Sequence, residues 1–141
     1  MKNSIDENTA YEISRRFAAP QAALFHAVLN PATLKEIWGV SSISVDARPG
    51  GQARATFRIG EENWDFTITY QEVAPYDKLR WIVRFDRNPS RETHVALMFR
   101  PLADGSEVTV RMENFENAQE CDANRQAWEQ ALNKLEAIVG K

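Results

Sequence analysis

The chain has 141 residues, 43% of them hydrophobic, which is enough apolar surface for one packed core and the usual size of one domain. Its 17 Lys and Arg against 20 Asp and Glu leave a net charge of -3, so no overall field draws it to phosphate backbones or anionic lipid, and nucleic acid is set aside as a partner. One cysteine cannot close an intramolecular disulfide, the opening Met1 to Asn8 lacks the apolar centre of a signal peptide, and no run approaches the roughly twenty apolar residues that cross a bilayer, so a cytoplasmic setting without membrane insertion is expected.

Residues 1–10 read as a flexible N-terminus and residues 11–141 as a single domain. Tyr11 to Phe17 alternates with the period of a strand, placing Tyr11, Ile13, Arg15 and Phe17 on one face. Pro20 fits the first turn of a helix over Gln21 to Leu29; Asn30-Pro31 ends it and starts a second short helix, which Gly39 stops.

From Ile43 onward the helical period disappears. Ile43, Val45 and Ala47 alternate with polar residues up to the turn Pro49-Gly50-Gly51, and Ala53, Ala55, Phe57 and Ile59 continue on the return strand. After Gly60 to Asn63, one face carries Trp64, Phe66, Ile68 and Tyr70; after Pro75-Tyr76-Asp77, another carries Leu79, Trp81, Val83 and Phe85. The loop Asp86 to Glu92 leads into Val95, Leu97 and Phe99, and Ala103-Asp104-Gly105 turns the chain into Val108, Val110 and Met112. These runs form an antiparallel meander. A polar, irregular stretch is expected over Asn114 to Asp122, followed by a helix from Ala123 to Val139 whose stripe is Ala123, Ala127, Trp128, Ala131, Leu132, Leu135 and Ile138. An amphipathic helix after a meander implies a two-layer α+β domain, a curved antiparallel sheet wrapped around a long C-terminal helix with two short helices after the first strand.

Five stretches in this order resemble one group of proteins: Arg15-Arg16-Phe17-Ala18-Ala19-Pro20, Asn30-Pro31 through Trp38-Gly39, Asp46-Ala47-Arg48-Pro49-Gly50-Gly51, Glu72-Val73-Ala74-Pro75 through Leu79, and Trp128-Glu129-Gln130-Ala131-Leu132. They are similar to the START-like, helix-grip (SRPBCC) superfamily, and within it to the branch of the activator of heat-shock protein 90 ATPase homologues. The resemblance implies a long helix gripped by a curved sheet, with a cavity between them that in many relatives holds a lipid, a polyketide or another hydrophobic small molecule. This chain departs from the pattern with Ile37-Trp38 in place of a tryptophan pair, and with Ile68 where a glycine is usual. An inward Ile68 narrows the pocket.

Catalytic constellations are poorly represented. His26 and His94 lie in different predicted elements with no Cys, Asp or Glu at ligand spacing, so no metal and no cofactor is expected. Cys121 has no base or orienting group near it in sequence, and Gly50-Gly51 has no following helix and so reads as a turn rather than a phosphate cradle. Arg84, Arg87 and Arg91 read as a solvated rim. Asp65, Glu72, Asp86 and Glu92 fall at outward or loop positions, away from any partner for acid–base work.

The aromatic side chains remain. Trp38, Trp64, Phe66, Tyr70, Trp81, Phe85, Phe99 and Trp128 take inward positions, where they either form an ordinary filled core or, since so many large rings between one sheet and one helix cannot all interdigitate, leave gaps suited to an apolar ligand; the cavity is preferred, largely on the resemblance. With Ile68, Val83, Leu97, Met112 and Leu132 they are the expected ligand-binding residues, Trp38 acting as a lid. Arg15 is the one charge on an inward parity, read first as a sheet-margin arginine paired with a carboxylate and second as an anchor for a ligand carboxylate or enolate.

Binding of a small hydrophobic or amphipathic molecule is therefore the leading functional expectation. Catalysis in the same cavity, of cyclase, dehydratase or hydrolase type with Arg15 and Tyr70 as the polar groups, is the second. The third is a chaperone partner, which the branch name suggests but which is disfavoured because this length holds one domain where the true activators carry another. The ligand and the oligomeric state have no signature in the sequence.

Overall fold

The computed structural model describes residues 9–139. The chain runs β1 (Ala10–Phe17), α1 (Gln21–Ala27), α2 (Pro31–Trp38), β2 (Ser42–Val45), β3 (Gln52–Ile59), β4 (Glu62–Ala74), β5 (Lys78–Phe85), β6 (Thr93–Leu102), β7 (Gly105–Glu113) and α3 (Ala118–Val139). Most of the expected N-terminal lead-in, residues 1–8, lies outside the described residues; Ala10 already belongs to the first strand and is buried.

The seven strands form one antiparallel sheet in the order β1-β7-β6-β5-β4-β3-β2, so the first strand closes against the last and the remainder is a meander. A register shift between Tyr70 and Glu72 leaves Gln71 unpaired on β4, an irregularity of the kind that bends a strand and increases its twist. The concave face is covered by α3 and by the pair α1 and α2, giving the helix-grip α+β architecture expected from the sequence.

Local chemistry explains the helix boundaries. Asn30 caps α2 by accepting from the Thr33 N–H at 3.1 Å, Pro31 takes the first helical position where a missing N–H is harmless, and Gly39 ends the helix with a φ of 71°. α3 starts five residues before the expected Ala123. Asn117 Oδ1 accepts from the Glu120 N–H at 2.8 Å while Glu120 Oε1 reaches back to the Glu116 N–H at 2.8 Å, a reciprocal arrangement related to the capping box that converts the supposed irregular stretch into the first turns of helix. Gly51 has a different constraint: a side chain there would bring its Cβ to 2.2 Å from the Asp46 carbonyl oxygen, so the β2–β3 turn closes only on glycine.

Candidate functional site

Cross-strand register turns the concave face into rows. Ile13, Val110, Leu97 and Leu79 align in one row, and Tyr11, Met112, Val95, Trp81 and Tyr70 in the next. Beyond these, Thr93, Val83, Ile68 and Ala53 align, and then Phe85, Phe66 and Ala55. Two hydrogen bonds fix where α3 lies over them. Tyr11 donates from its hydroxyl to Asn124 Oδ1 at 2.6 Å, and Arg15, two residues further along β1 than Ile13, donates from Nη1 to Asn133 Oδ1 at 2.7 Å. The helix therefore runs alongside β1, with its residues near 124–131 over the aromatic rows and those near 132–135 over the aliphatic ones.

Over the aromatic rows the two layers do not close. They leave a cavity of about 170 Å³ walled by Ile37 and Trp38 of α2, by Phe57, Phe66, Ile68, Trp81, Val83, Phe85, Thr93, Val95 and Met112 of the sheet, and by Asn124, Ala127, Trp128 and Ala131 of α3. Its floor is buried: Phe66, Ile68, Trp81, Val95, Met112 and Ala131 are each at most 4% exposed. Its rim, with Trp38, Phe57, Val83, Phe85 and Thr93, is only half-buried. Trp38 stands at that rim with its ring centroid 6.3 Å from Trp81 and 6.1 Å from Trp128, meeting the latter edge to face. Phe57, Phe66 and Phe85 form the opposite wall, Phe57 and Phe66 stacked at 5.1 Å. The Phe57, Phe66 and Phe85 cluster braces one wall and the Trp38–Trp128 edge-to-face pair the other, so each group of rings is held by its own members and the space between them stays open.

Eight of the fourteen residues singled out from sequence line this cavity: Trp38, Phe66, Ile68, Trp81, Val83, Phe85, Met112 and Trp128. Ile68, 1% exposed, occupies floor space that a glycine would leave open. The other six lie on the expected face but elsewhere along it. Leu97, Phe99 and Leu132 belong to the filled rows, Phe99 packing edge-on to Phe25 of α1 at 5.7 Å. Tyr70 is spent against Trp81, at 5.9 Å, and burial pushes its hydroxyl up to about 12. Trp64 sits beyond the cavity, edge-on to Phe85 and under the Arg87 guanidinium, which lies 4.1 Å from the ring; its indole N–H is buried with no acceptor among the described residues. Arg15 keeps to the sheet margin, but its partner is the Asn133 amide rather than a carboxylate.

The residues that sequence reading did not assign to the site are Ile37, Phe57, Thr93, Val95, Asn124, Ala127 and Ala131. Phe57 and Val95 carry the inward strand parity, and Ala127 and Ala131 fall on the helical stripe, so a signal existed for four of them. Thr93 shares the parity of Val95 but, like Asn124, is polar, and a polar residue on a strand or helix is ordinarily read as solvent-facing.

The remaining polar groups have surface roles. Arg84 pairs with Glu92, Arg87 with Glu62 at 3.5 Å and Arg91 with Glu120 at 3.6 Å, which fits the solvated rim expected for them. His26 is exposed beside Tyr76, and His94 lies on the convex face 3.6 Å from Glu92. Among the described residues no three His, Cys, Asp or Glu side chains gather as a metal site would require, and no helix is long and apolar enough to cross a membrane.

Comparison with known proteins agrees with this architecture. The family model described as Activator of Hsp90 ATPase homolog 1-like protein matches residues 18–140. Among solved structures, Mll3558 protein from Rhizobium loti superposes with a TM-score of 0.81 at 20% identity, over 92% of this chain and 96% of that one. Protein CV1439 from Chromobacterium violaceum gives 0.79 at 21% identity, over 93% and 96% respectively. DynU16, a protein of the dynemicin biosynthetic locus, gives 0.76 at 20% identity, over 92% of this chain and 46% of that one. At these identities the likeness is one of fold. No match was found among curated proteins.

Proposed function

This chain belongs to the Activator of Hsp90 ATPase homolog 1-like family, and from that premise we propose that it binds a small, predominantly apolar molecule in the cavity between the sheet and α3. The observation that carries the reading is the lining itself: thirteen of its fifteen residues are aliphatic or aromatic, and the other two are Thr93 and Asn124. Apolar walls with one or two polar groups are the usual make-up of a small-molecule site.

Size narrows the occupant. Drug-sized ligands occupy roughly 300–1,000 Å³, whereas an apolar cavity of about 150 Å³ accommodates benzene. At about 170 Å³ this one suits a single substituted ring or a short branched chain, and a long acyl chain or polycyclic polyketide would have to project through the half-buried rim. Ile68 is a direct cause of that restriction. The position of DynU16 in the dynemicin biosynthetic locus is in keeping with small-molecule handling by this fold.

Binding ranks above catalysis because Arg15 and Tyr70, the polar pair considered for chemistry, lie on β1 and β4 with three strands between them, and neither lines the cavity. No acid or base among the described residues lines it either, so no proton donor or acceptor adjoins a bound molecule. The lone cysteine and the unremarkable charge balance favour a cytoplasmic location for this role.

The test is ligand-induced stabilisation read together with tryptophan emission. Substituted benzenes at about a hundredfold excess over their dissociation constants stabilise the fold by about 2.7 kcal/mol, raising the Tm by several degrees, and perturb the fluorescence of Trp38, Trp81 and Trp128. Ala131→Phe, which places a ring inside the cavity, abolishes both responses. Compounds that shift neither signal across a broad apolar panel would refute the binding reading.

A further inference from the structure

Resting on that reading, we infer that the ligand is a neutral ring-sized molecule carrying a single hydrogen-bond acceptor, such as a carbonyl or ether oxygen, and that the Asn124 side-chain amide receives it. The inference starts from how Tyr11 divides the amide. The Tyr11 hydroxyl lies 2.6 Å from Asn124 Oδ1 and 3.0 Å from Met112 Sδ. A hydroxyl has one proton, and an amide oxygen is a much better acceptor than a thioether, so the proton goes to Oδ1. That contact sets the amide's orientation. Its oxygen is taken, and its NH₂ group has no protein acceptor among the described residues, while Asn124 itself forms part of the cavity wall.

Burial holds this arrangement in place. Tyr11 is 6% exposed, stacks on Phe115 at 5.8 Å, and has its hydroxyl pushed far above the ordinary tyrosine range by desolvation, so it stays a donor throughout neutral and mildly alkaline pH. An amide N–H beside apolar walls gains from a ligand acceptor and gains nothing from a hydrocarbon. A carboxylate would lose its hydration with no Lys, Arg or His in the lining to replace it, and an ammonium would find ring faces but no carboxylate. The lining therefore selects for neutrality as well as for shape.

The experiment compares acetophenone with ethylbenzene, which match closely in shape and differ in the acceptor, by titration calorimetry on the wild type, Asn124→Leu and Tyr11→Phe. The ratio of the two affinities is read, because the ketone's stronger hydration in water cancels when that ratio is compared between proteins. The expected result is a fall in the ketone-to-hydrocarbon ratio of about two- to tenfold in Asn124→Leu, the range of one net hydrogen bond. Tyr11→Phe, which frees the amide without removing it, lowers the ratio by less; if Asn124→Leu fails to fold, this variant carries the test. Both probes binding with an unchanged ratio in the folded variants overturns the acceptor inference and leaves the cavity reading standing. Benzoate or phenyltrimethylammonium binding the wild type more tightly than acetophenone overturns the neutral class. Neither acetophenone nor ethylbenzene binding overturns the inference together with the binding reading beneath it.

Discussion

Two halves of one sheet, under one helix, are finished differently. Where α3 presents Leu132 and Leu135, the rows beneath are mainly branched aliphatics with Phe99 among them, and Leu79, Leu97, Val108, Val110, Leu132 and Leu135 are each at most 1% exposed. Where it presents Asn124, Ala127 and Ala131, the facing rows carry Phe57, Phe66, Trp81 and Phe85, and a gap of about 170 Å³ remains. Aliphatic side chains interdigitate and reach crystal-like density, whereas the large planar rings here, stacked along Phe57, Phe66 and Phe85 and edge to face between Trp38 and Trp128, leave volume between the two groups unfilled. Alanines on the helix complete the effect by withdrawing volume where the rings withhold it. The lesson is that a cavity need not be carved by polar residues; a change in the shape of apolar ones along a continuous face is enough.

The largest expected contrast comes from truncation on either side of the boundary. Leu97→Ala, in the filled half, costs about 3–5 kcal/mol in urea unfolding, since a full complement of neighbours loses contact. Ile68→Ala, whose side chain already faces a void, costs about 2 kcal/mol, the low end for such a change. Equal values at the two sites would mean that the cavity closes in solution.

Alkali probes which half owns Tyr70. Burial raises its hydroxyl from 10.0 to about 12, so below pH 10 the folded and unfolded chains bind this proton alike and its contribution is intact. As pH climbs from 10 to 12 the unfolded tyrosine ionises while the folded one does not, and stability falls by about 3 kcal/mol from this residue. Tyr70→Phe should remove that share of the alkaline loss, seen as a flatter plot of unfolding free energy between pH 10 and 12. A tyrosine opening into a hydrated cavity would instead titrate near 10 by its absorbance, and would move Tyr70 to the hollow side.

Added volume sharpens the comparison from the other direction. Val110→Phe overpacks the filled row and costs about 1–3 kcal/mol, whereas Ala131→Leu enters existing space and leaves the Tm within a few degrees of the wild type while weakening ligand binding. Calorimetric melting of the two variants decides it. The smallest effect lies away from both halves: Asn117→Ala removes the cap of α3 and costs about 1 kcal/mol, with fraying of the first turn visible as reduced hydrogen-exchange protection near Glu120.

Alternation along each strand, a turn signal between strands and one long amphipathic stripe were legible without coordinates, because each depends on residues near one another in the chain. They determined the meander, the closing helix and which side chains face inward, and the ordered stretches from Arg15 to Leu132 pointed to the helix-grip family. The early start of α3 was also written locally, in the Asn117 and Glu120 pair, although the surrounding polarity masks it.

Position along the concave face was not legible. Trp64, Tyr70, Leu97 and Phe99 share the parity of Phe66, Val83 and Trp81, yet only the latter three line the cavity. The difference is set by cross-strand register and by the line that α3 takes over the sheet, pinned at Tyr11 and Arg15. The second of these depends on contacts between residues more than a hundred positions apart. Asn124 shows the same limit for a polar group: its helical position reads as solvent-facing, yet it lines the cavity and its amide oxygen is bonded by the Tyr11 hydroxyl, which arrives from the opposite end of the chain. Periodicity is a property of each segment, whereas the cavity belongs to the distance between segments, which tertiary packing alone decides.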